Sequence, residues 1–169
     1  LLPRNIHLNK NDYILWTNYY GNASNKSIKY IINKYKNLII DNCHAFFSEP
    51  IKGVYNCYSA RKFFGVSDGA YLIKDNLVLN ENIEQGHSSQ YTNHLIKQID
   101  IGTNRAYKEN LANEERLNNE FNGMSNFSKR VLQSINYNYI KSIRRRNFIK
   151  MHKILSDYNE FPVNLKSST

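Results

Sequence analysis

Asp41 and Lys62 are the residues of this sequence whose types and positions best suit chemistry. Asp41 directly follows the apolar run 38–40, which predicts a parallel strand, and open α/β sheets bind ligands at the carboxyl ends of such strands. Capping of a turn with Asn42 is the alternative for this carboxylate. Lys62 precedes Phe63-Phe64, and a lysine enclosed by apolar groups has a lowered pKa and can attack carbonyl carbons. A surface lysine with its amine in water is the alternative.

His44 and the two cysteines offer weaker signals. His44 follows Asp41 by three residues, but a lone histidine near an apolar run is usually structural. Cys43 and His44 are neighbours in sequence, and such side chains seldom face each other, so we do not interpret them as a nucleophile and its base. The spacing of Cys43, His44 and Cys57 is not that of a metal site. Two cysteines also form no disulfide framework, which suits a reducing cytosol.

The elements that must position these residues alternate in the first half of the chain. The run 13–17 predicts a strand, the apolar spacing over about 25–36 predicts an amphipathic helix, and 38–40 predicts a second strand. Strand, helix and strand within about 30 residues form a βαβ unit with parallel strands and a right-handed crossover. Further strands are predicted at 54–58 and 70–73, the last of them antiparallel.

Helical spacing dominates the second half of the chain. Helices are predicted over 88–99 and over 104–122, where Leu117 lies on the apolar side and Gly123 ends the helix. Another begins near Ser125 and continues toward Leu155, until Pro162 stops the pattern. The predicted fold class is therefore α/β, with a mostly parallel sheet, one antiparallel strand, flanking helices and a helical C-terminal segment.

The net charge of +9 permits a nucleic-acid partner, since 23 Lys and Arg outnumber 14 Asp and Glu. The chain is rich in Lys, Asn, Ile and Tyr, which indicates a compositional bias that adds lysines everywhere. We therefore interpret the densest cluster, Arg144-Arg145-Arg146, as a solvated helix face. No apolar run approaches the roughly 20 residues that span a bilayer. We expect a cytoplasmic protein that binds neither nucleic acid nor membrane.

Four segments resemble, in order, those of the PLP-dependent fold-type I aminotransferases, the aspartate aminotransferase superfamily. Asn18-Tyr19-Tyr20-Gly21 resembles the family's Asn-Pro-x-Gly turn, and Asp41-Asn42-Cys43-His44 resembles its Asp-x-x-Tyr/His/Gln element. Ser59-Ala60-Arg61-Lys62 resembles the Ser-x-x-Lys element that carries the cofactor lysine. Residues 144–148 resemble the helix that links the large domain to the small domain. The short separation of Asp41 and Lys62 is closest to that in the nucleotide-sugar aminotransferases of the DegT/DnrJ type.

The resemblance implies pyridoxal 5′-phosphate (PLP) as the cofactor and assigns each residue a role. Lys62 would bond covalently to the cofactor and then act as the general base. Asp41 would keep the pyridine nitrogen protonated, which the electron sink requires. The other assigned residues would contact the cofactor's phenolic oxygen, its ring or its phosphate: Asn18 the oxygen, His44 the oxygen or the ring, and Ser59 and Arg61 the phosphate.

The resemblance also implies a reaction and an architecture. The reaction is amino transfer from a small-molecule donor to a nucleotide-linked keto sugar, in polysaccharide biosynthesis, by a full-length homodimer. Residues 1–124 would belong to the PLP-binding large domain, and residues 125–169 would form a linker helix toward a small domain. We therefore expect this segment to be part of a longer chain and to be inactive alone.

Three departures from the sugar branch leave the substrate class open. Arg61 stands where that branch has Thr, His44 stands where it often has Gln, and 63–69 is not its usual Gly-rich ending. The alternatives are another fold-type I enzyme, namely an amino-acid transaminase, a lyase or a decarboxylase, and a catalytically inactive homologue. A basic nucleic-acid-binding module is a more distant alternative.

Overall fold

The computed structural model describes residues 6–78, 82–116 and 120–160. These residues divide into two compact units. The first unit contains residues 6–58, 71–77 and 136–160, and the second contains residues 59–70 and the described part of 78–135. The predicted division at residue 124 refers to domains of a longer protein, so it stays a prediction.

The first unit begins with the predicted βαβ arrangement. Strand β1 (Ile14–Thr17), helix α1 (Asn25–Lys34) and strand β2 (Leu38–Asp41) follow one another. The two strands are parallel, in register from Ile14 opposite Leu38 to Thr17 opposite Asp41. Helix α1 starts where the Ser24 hydroxyl accepts the Ser27 backbone N–H at 3.0 Å, which satisfies a donor that the first turn leaves unpaired.

Two more strands complete the sheet. Strand β3 (Tyr55–Ser59) lies beside β2, parallel to it, with Asp41 opposite Cys57. Strand β4 (Ala70–Ile73) lies beside β3 at the sheet edge, so that the strand order is β1-β2-β3-β4. Its antiparallel direction stays a prediction. The chain is therefore of the α/β class, with a mostly parallel sheet, as the sequence predicted.

The core of the first unit lies where the alternate residues of β2 meet α1. Leu38 and Ile40 are both 1% exposed, and Ile31 of α1 is fully buried in the same cluster. Burial of each such side chain contributes about 1.5–3 kcal/mol. Asn56 of β3 is also buried, and its amide exchanges two hydrogen bonds of 2.9 Å with the backbone of Ile51, which fixes the turn that precedes β3. This core holds the carboxyl end of β2 in place.

The described part of the second unit contains three α-helices, two of which differ from the predicted bounds. Helix α2 (Asn93–Ile101) begins five residues later than the predicted residue 88, because Ser89–Tyr91 form a separate turn of 3₁₀ helix. Helix α3 (Thr103–Glu115) follows a single residue, Gly102, whose φ of 89° reverses the chain. Helix α3 does not continue to residue 122. Two residues of the predicted helices lie outside the described residues: Leu117, placed on the apolar side of the 104–122 helix, and Pro162, predicted to stop the last helix.

Gly123 was wrongly predicted to end a helix. Its backbone N–H donates to the Glu84 carbonyl at 2.7 Å, and its carbonyl accepts the Gly86 N–H at 2.8 Å. A Cβ on Gly86 would lie 2.4 Å from the Gly123 oxygen. Glycine is therefore required at residue 86 by the close approach of two backbone segments.

The predicted C-terminal helix is interrupted. Helix α4 (Asn126–Gln133) belongs to the second unit, and helix α5 (Tyr137–Leu155) belongs to the first. A new helix begins after Asn136, whose side chain accepts the Tyr139 N–H at 3.0 Å and so caps α5. On α5, Arg144 and Arg146 are exposed and Arg145 is partly buried. No helix in the described ranges has both the length and the apolar character to cross a membrane.

Candidate functional site

Asp41 lies at the carboxyl end of β2, between parallel neighbours on both sides. It is opposite Thr17 of β1 and Cys57 of β3, and its side chain is partly buried. Its Oδ1 accepts the Cys43 backbone N–H at 2.8 Å. The residue thus lies at the edge where open α/β sheets generally bind ligands, and its side chain also closes the turn that follows.

His44 lies against two tyrosine rings at the same edge. Its ring centroid is 6.2 Å from that of Tyr19 and 5.8 Å from that of Tyr20. Both tyrosines are more than half exposed. Tyr20 has a φ of 55°, a left-handed conformation that costs a non-glycine residue about 1–2 kcal/mol. Tyr20, whose ring lies beside His44, therefore has a strained backbone conformation.

Asn18 lies just beyond β1 and is 5% exposed. Its Nδ2 donates to Asn42 Oδ1 at 2.9 Å and to Ser48 Oγ at 3.4 Å. Among the described residues, no partner meets the hydrogen-bond criteria for the opposite atoms of this amide pair, Asn18 Oδ1 and Asn42 Nδ2, although the Tyr58 hydroxyl interacts with the Asn42 side chain. Buried amide atoms normally have partners, so these two atoms are candidates for contact with a ligand.

The Cys57 thiol lies on the strand next to Asp41. Burial raises its pKa, and the negative charge of Asp41 raises it further. The thiol therefore stays protonated at neutral pH, and a protonated thiol is a poor nucleophile.

In the second unit, Lys62 and Arg61 line a cavity of about 230 Å³. Both side chains are exposed, so Lys62 is not enclosed by apolar groups as the sequence analysis considered. The turn that carries them is fixed by the Ala60 carbonyl, which accepts the Phe63 and Phe64 N–H groups at 3.0 Å. The other lining residues come from the same loop and from the helical segment: Val66, Ser67, Tyr91, His94, Leu95, Asn110, Asn113 and Glu114. Ser59, the last residue of β3, is partly buried.

Two residues that order this cavity, His94 of α2 and Asn113 of α3, were not predicted from the sequence. Asn113 is 4% exposed, and its Nδ2 lies 2.8 Å from Asn93 Oδ1 and 3.3 Å from the Tyr91 carbonyl oxygen. Two oxygen acceptors on one atom identify that atom as the amide nitrogen. It also lies 2.9 Å from His94 Nδ1. No motif joins residues 19 positions apart, and only the packing of the helices reveals the pair.

The cavity combines opposite charges. Arg61 and Lys62 supply positive charge, Glu114 supplies negative charge, and His94 and Asn113 supply neutral hydrogen-bonding groups. Such a set suits a polar ligand with an anionic group. Among the described residues, no group of three or more His, Cys, Asp or Glu side chains is placed to hold a metal ion.

The structure thus places the sequence-predicted residues in two sets. Asn18, Asp41 and His44 lie at the strand ends of the first unit, and Ser59, Arg61 and Lys62 belong to the second.

Comparisons with models of known protein families, with curated proteins and with solved structures find no match.

Proposed function

We propose that this chain carries cofactor-binding residues of a PLP-dependent aminotransferase that acts on a nucleotide-linked keto sugar. The observation that supports this most directly is the place of Asp41. It is a partly buried carboxylate at the carboxyl end of a strand with parallel neighbours on both sides. A carboxylate in such a place stabilises a positively charged group near it, such as a protonated pyridine nitrogen.

The residues of the first unit fit this cofactor. PLP, when bound, supplies an electron sink for bonds at the substrate's amino-bearing carbon. Asp41 would hold the proton on the ring nitrogen. His44, already packed against Tyr19 and Tyr20, would present its ring to the cofactor's phenolic oxygen or pack on the pyridine. Asn18 Oδ1, a buried amide oxygen for which the described residues offer no hydrogen-bond partner, also fits a ligand that brings a polar group to this edge.

The residues of the second unit fit the aldehyde and the phosphate. By this resemblance the primary amine of Lys62 would condense with the aldehyde, whose oxygen leaves as water, and would later move a proton on the substrate. Arg61 beside it would attract the phosphate, and the Ser59 hydroxyl would donate a hydrogen bond to it. These assignments follow the resemblance of the 59–62 segment.

A catalytically inactive homologue is the second candidate. Two observations favour it: Asp41 already accepts a hydrogen bond within its own turn, and Lys62 is exposed. An inactive homologue would keep the fold and bind a ligand without transferring an amino group. Another fold-type I reaction, by a transaminase of amino acids, a lyase or a decarboxylase, would use the same cofactor residues.

Chemical trapping tests the proposal at Lys62. The full-length protein is incubated with PLP, reduced with borohydride and digested, and the labelled lysine is located by mass spectrometry. We expect the label on Lys62, and we expect it to disappear in Lys62→Ala and Lys62→Arg. Lys108→Ala, which removes an exposed lysine of α3, should label like the unaltered protein. Labelling that persists in Lys62→Ala would refute the assignment.

Asp41→Asn separates the two roles of Asp41. The asparagine Oδ1 can still accept the Cys43 N–H, so the turn is kept, whereas the negative charge is lost. We expect PLP attachment at Lys62 to persist and amino transfer to fall at least about a hundredfold, since each 1.4 kcal/mol of lost stabilisation slows a reaction about tenfold. If the unaltered protein attaches PLP at Lys62 but transfers no amino group, the inactive homologue would be favoured. Full transfer in Asp41→Asn would contradict the role of the carboxylate.

A further inference from the structure

The first unit contains a cleft of about 450 Å³ with largely aromatic walls. Phe46 is at its centre: its ring is stacked on Tyr137, with 6.2 Å between centroids and 13° between planes. Three further rings lie edge-on to it, Phe47 at 5.6 Å, Tyr71 at 6.0 Å and Tyr58 at 6.2 Å between centroids. Five aromatic residues therefore line one cleft, which the function proposed above does not use.

The walls of this cleft are held in place before any ligand binds. Tyr58 is 4% exposed, and its hydroxyl donates to the Ser48 carbonyl at 3.0 Å. Phe46 contacts rings from the segment after β2, from β3, from β4 and from α5. A ligand that enters therefore does not have to order the rings, which lowers the entropic cost of binding.

The charge of the cleft is opposite in sign to that of the chain. The net charge is +9, yet Glu49 is the one charged side chain among the described residues that line the cleft. Lys74, which follows β4, lies over the Tyr55 ring at 3.9 Å from its centroid and is engaged there. The charge of Glu49 acts within the cleft, since it contributes to the raised pKa of Tyr58.

We propose that this cleft binds a small organic cation, an ammonium group with methyl or methylene substituents. The faces of aromatic rings carry partial negative charge and attract such cations within about 6 Å of the ring centroid. Glu49 adds a full negative charge at the rim, and the apolar substituents of the ligand contact Phe47, Ile73 and Pro50. An anionic ligand would be repelled by Glu49, and a metal ion would lack further oxygen ligands with negative charge.

Titration with tetramethylammonium and with choline tests this inference. Ligand methyl resonances are followed by NMR, because protons above aromatic rings shift upfield. We expect saturable upfield shifts for both cations, which weaken as salt is added. The uncharged carbon isostere of choline, with carbon in place of the ammonium nitrogen, should bind at least about fivefold more weakly. Equal binding of the isostere would show a merely apolar cleft and overturn the proposal, as would the absence of binding by both cations.

Paired variants locate the site. Glu49→Gln keeps the size of the exposed side chain and removes its charge, so we expect affinity for choline to fall about three- to tenfold. Glu160→Gln is the matched control, an exposed glutamate outside the cleft, and should bind as the unaltered protein does. Tyr137→Leu removes the stacked wall and should weaken binding about tenfold, whereas Tyr139→Leu, exposed on the same helix, should not. Unchanged affinity in both Glu49→Gln and Tyr137→Leu would place the cation elsewhere and refute the proposal.

Discussion

Asn113 Nδ2 lies 2.9 Å from His94 Nδ1, which favours the histidine tautomer whose Nδ1 accepts a hydrogen bond. A neutral imidazole has one donor and one acceptor nitrogen. In the favoured tautomer the proton of neutral His94 is on Nε2. That tautomer offers an N–H donor in the cavity that Arg61 and Lys62 also line.

Asn113→Ala should release His94 from this tautomer. In the unaltered protein at high pH, nitrogen NMR of His94 should show protonation at Nε2, and in the variant it should show a mixture of both tautomers. The variant should also lose about 1–3 kcal/mol of unfolding free energy, because the amide group makes short contacts with Asn93 Oδ1 and His94 Nδ1. An unchanged tautomer in a folded Asn113→Ala variant would mean that another group orients the ring.

Asp68 should be a main stabiliser of the second unit. Its Oδ2 accepts the Ser125 backbone N–H and its Oδ1 accepts the Ser125 hydroxyl, both at 2.7 Å, and the Ser128 hydroxyl also donates to Oδ1. Ser125 caps α4, and both serines are at most 2% exposed. Asp68→Ala leaves the Ser125 N–H and the Ser128 hydroxyl without this acceptor, whereas the Ser125 hydroxyl can still donate to Ser88 Oγ. We therefore expect a loss of about 2–4 kcal/mol in the free energy of unfolding, measured by urea denaturation.

Two further aspartate variants calibrate that result. Asp68→Asn keeps one acceptor oxygen but turns an amide nitrogen toward other donors, so its loss should lie below that of Asp68→Ala. Asp100→Asn changes an exposed aspartate of α2 and should shift the unfolding free energy by less than about 0.5 kcal/mol. Equal stability of Asp68→Ala and Asp100→Asn would contradict the capping role.

The parallel strands and α1 could be predicted from the sequence because local pattern determines them. The continuous apolar run before Asp41 indicates a strand, and the helical spacing before Tyr35 indicates a helix. Both are present, as β2 and α1. Asp41 then necessarily lies at a strand end, which is why the candidate position was visible in the sequence. Capping of the following turn was the alternative role for Asp41, and its Oδ1 accepts the Cys43 N–H there. The donor of that hydrogen bond could not be predicted, because it depends on the backbone after the strand.

The second unit was harder to predict because its structure depends on contacts between distant segments. Gly123 was interpreted as the end of a helix, since glycine commonly serves there. It instead meets Gly86, and no local signal distinguishes the two uses. The break between α4 and α5 was missed because Ile135 continues the apolar spacing, while the capping by Asn136 competes with it. His94 was not considered at all, because its partner lies on the next helix.

Gly86→Ala should destabilise the protein through a clash with backbone. The new Cβ would lie 2.4 Å from the Gly123 carbonyl oxygen, and backbone atoms cannot rotate away as a flexible side chain can. We expect a loss of about 1–3 kcal/mol in the free energy of unfolding. Gly65→Ala is the matched control, since nothing lies within 4 Å of its Cβ, and it should change stability by less than about 0.5 kcal/mol. Tolerance of alanine at residue 86 would show that the two segments are farther apart than described.

Tyr58 should make the folded state less stable in strong alkali. Burial first, and the negative charge of Glu49 second, raise the pKa of its phenol from 10.0 to about 12. Below pH 10 both the folded and the unfolded chain keep this proton, and the phenol does not oppose folding. Between pH 10 and 12 the unfolded chain releases the proton while the folded chain retains it, so the free energy of unfolding falls as pH rises.

Denaturant unfolding across this range should therefore show a steeper decline for the unaltered protein than for Tyr58→Phe, which has no phenol to titrate. Tyr58→Phe also loses the hydrogen bond to the Ser48 carbonyl, about 1 kcal/mol, but that loss does not depend on pH. Tyr139→Phe, at an exposed position of α5, should keep the decline of the unaltered protein. Parallel pH profiles for Tyr58→Phe and the unaltered protein would show that the phenol is not held in its protonated form by the cleft.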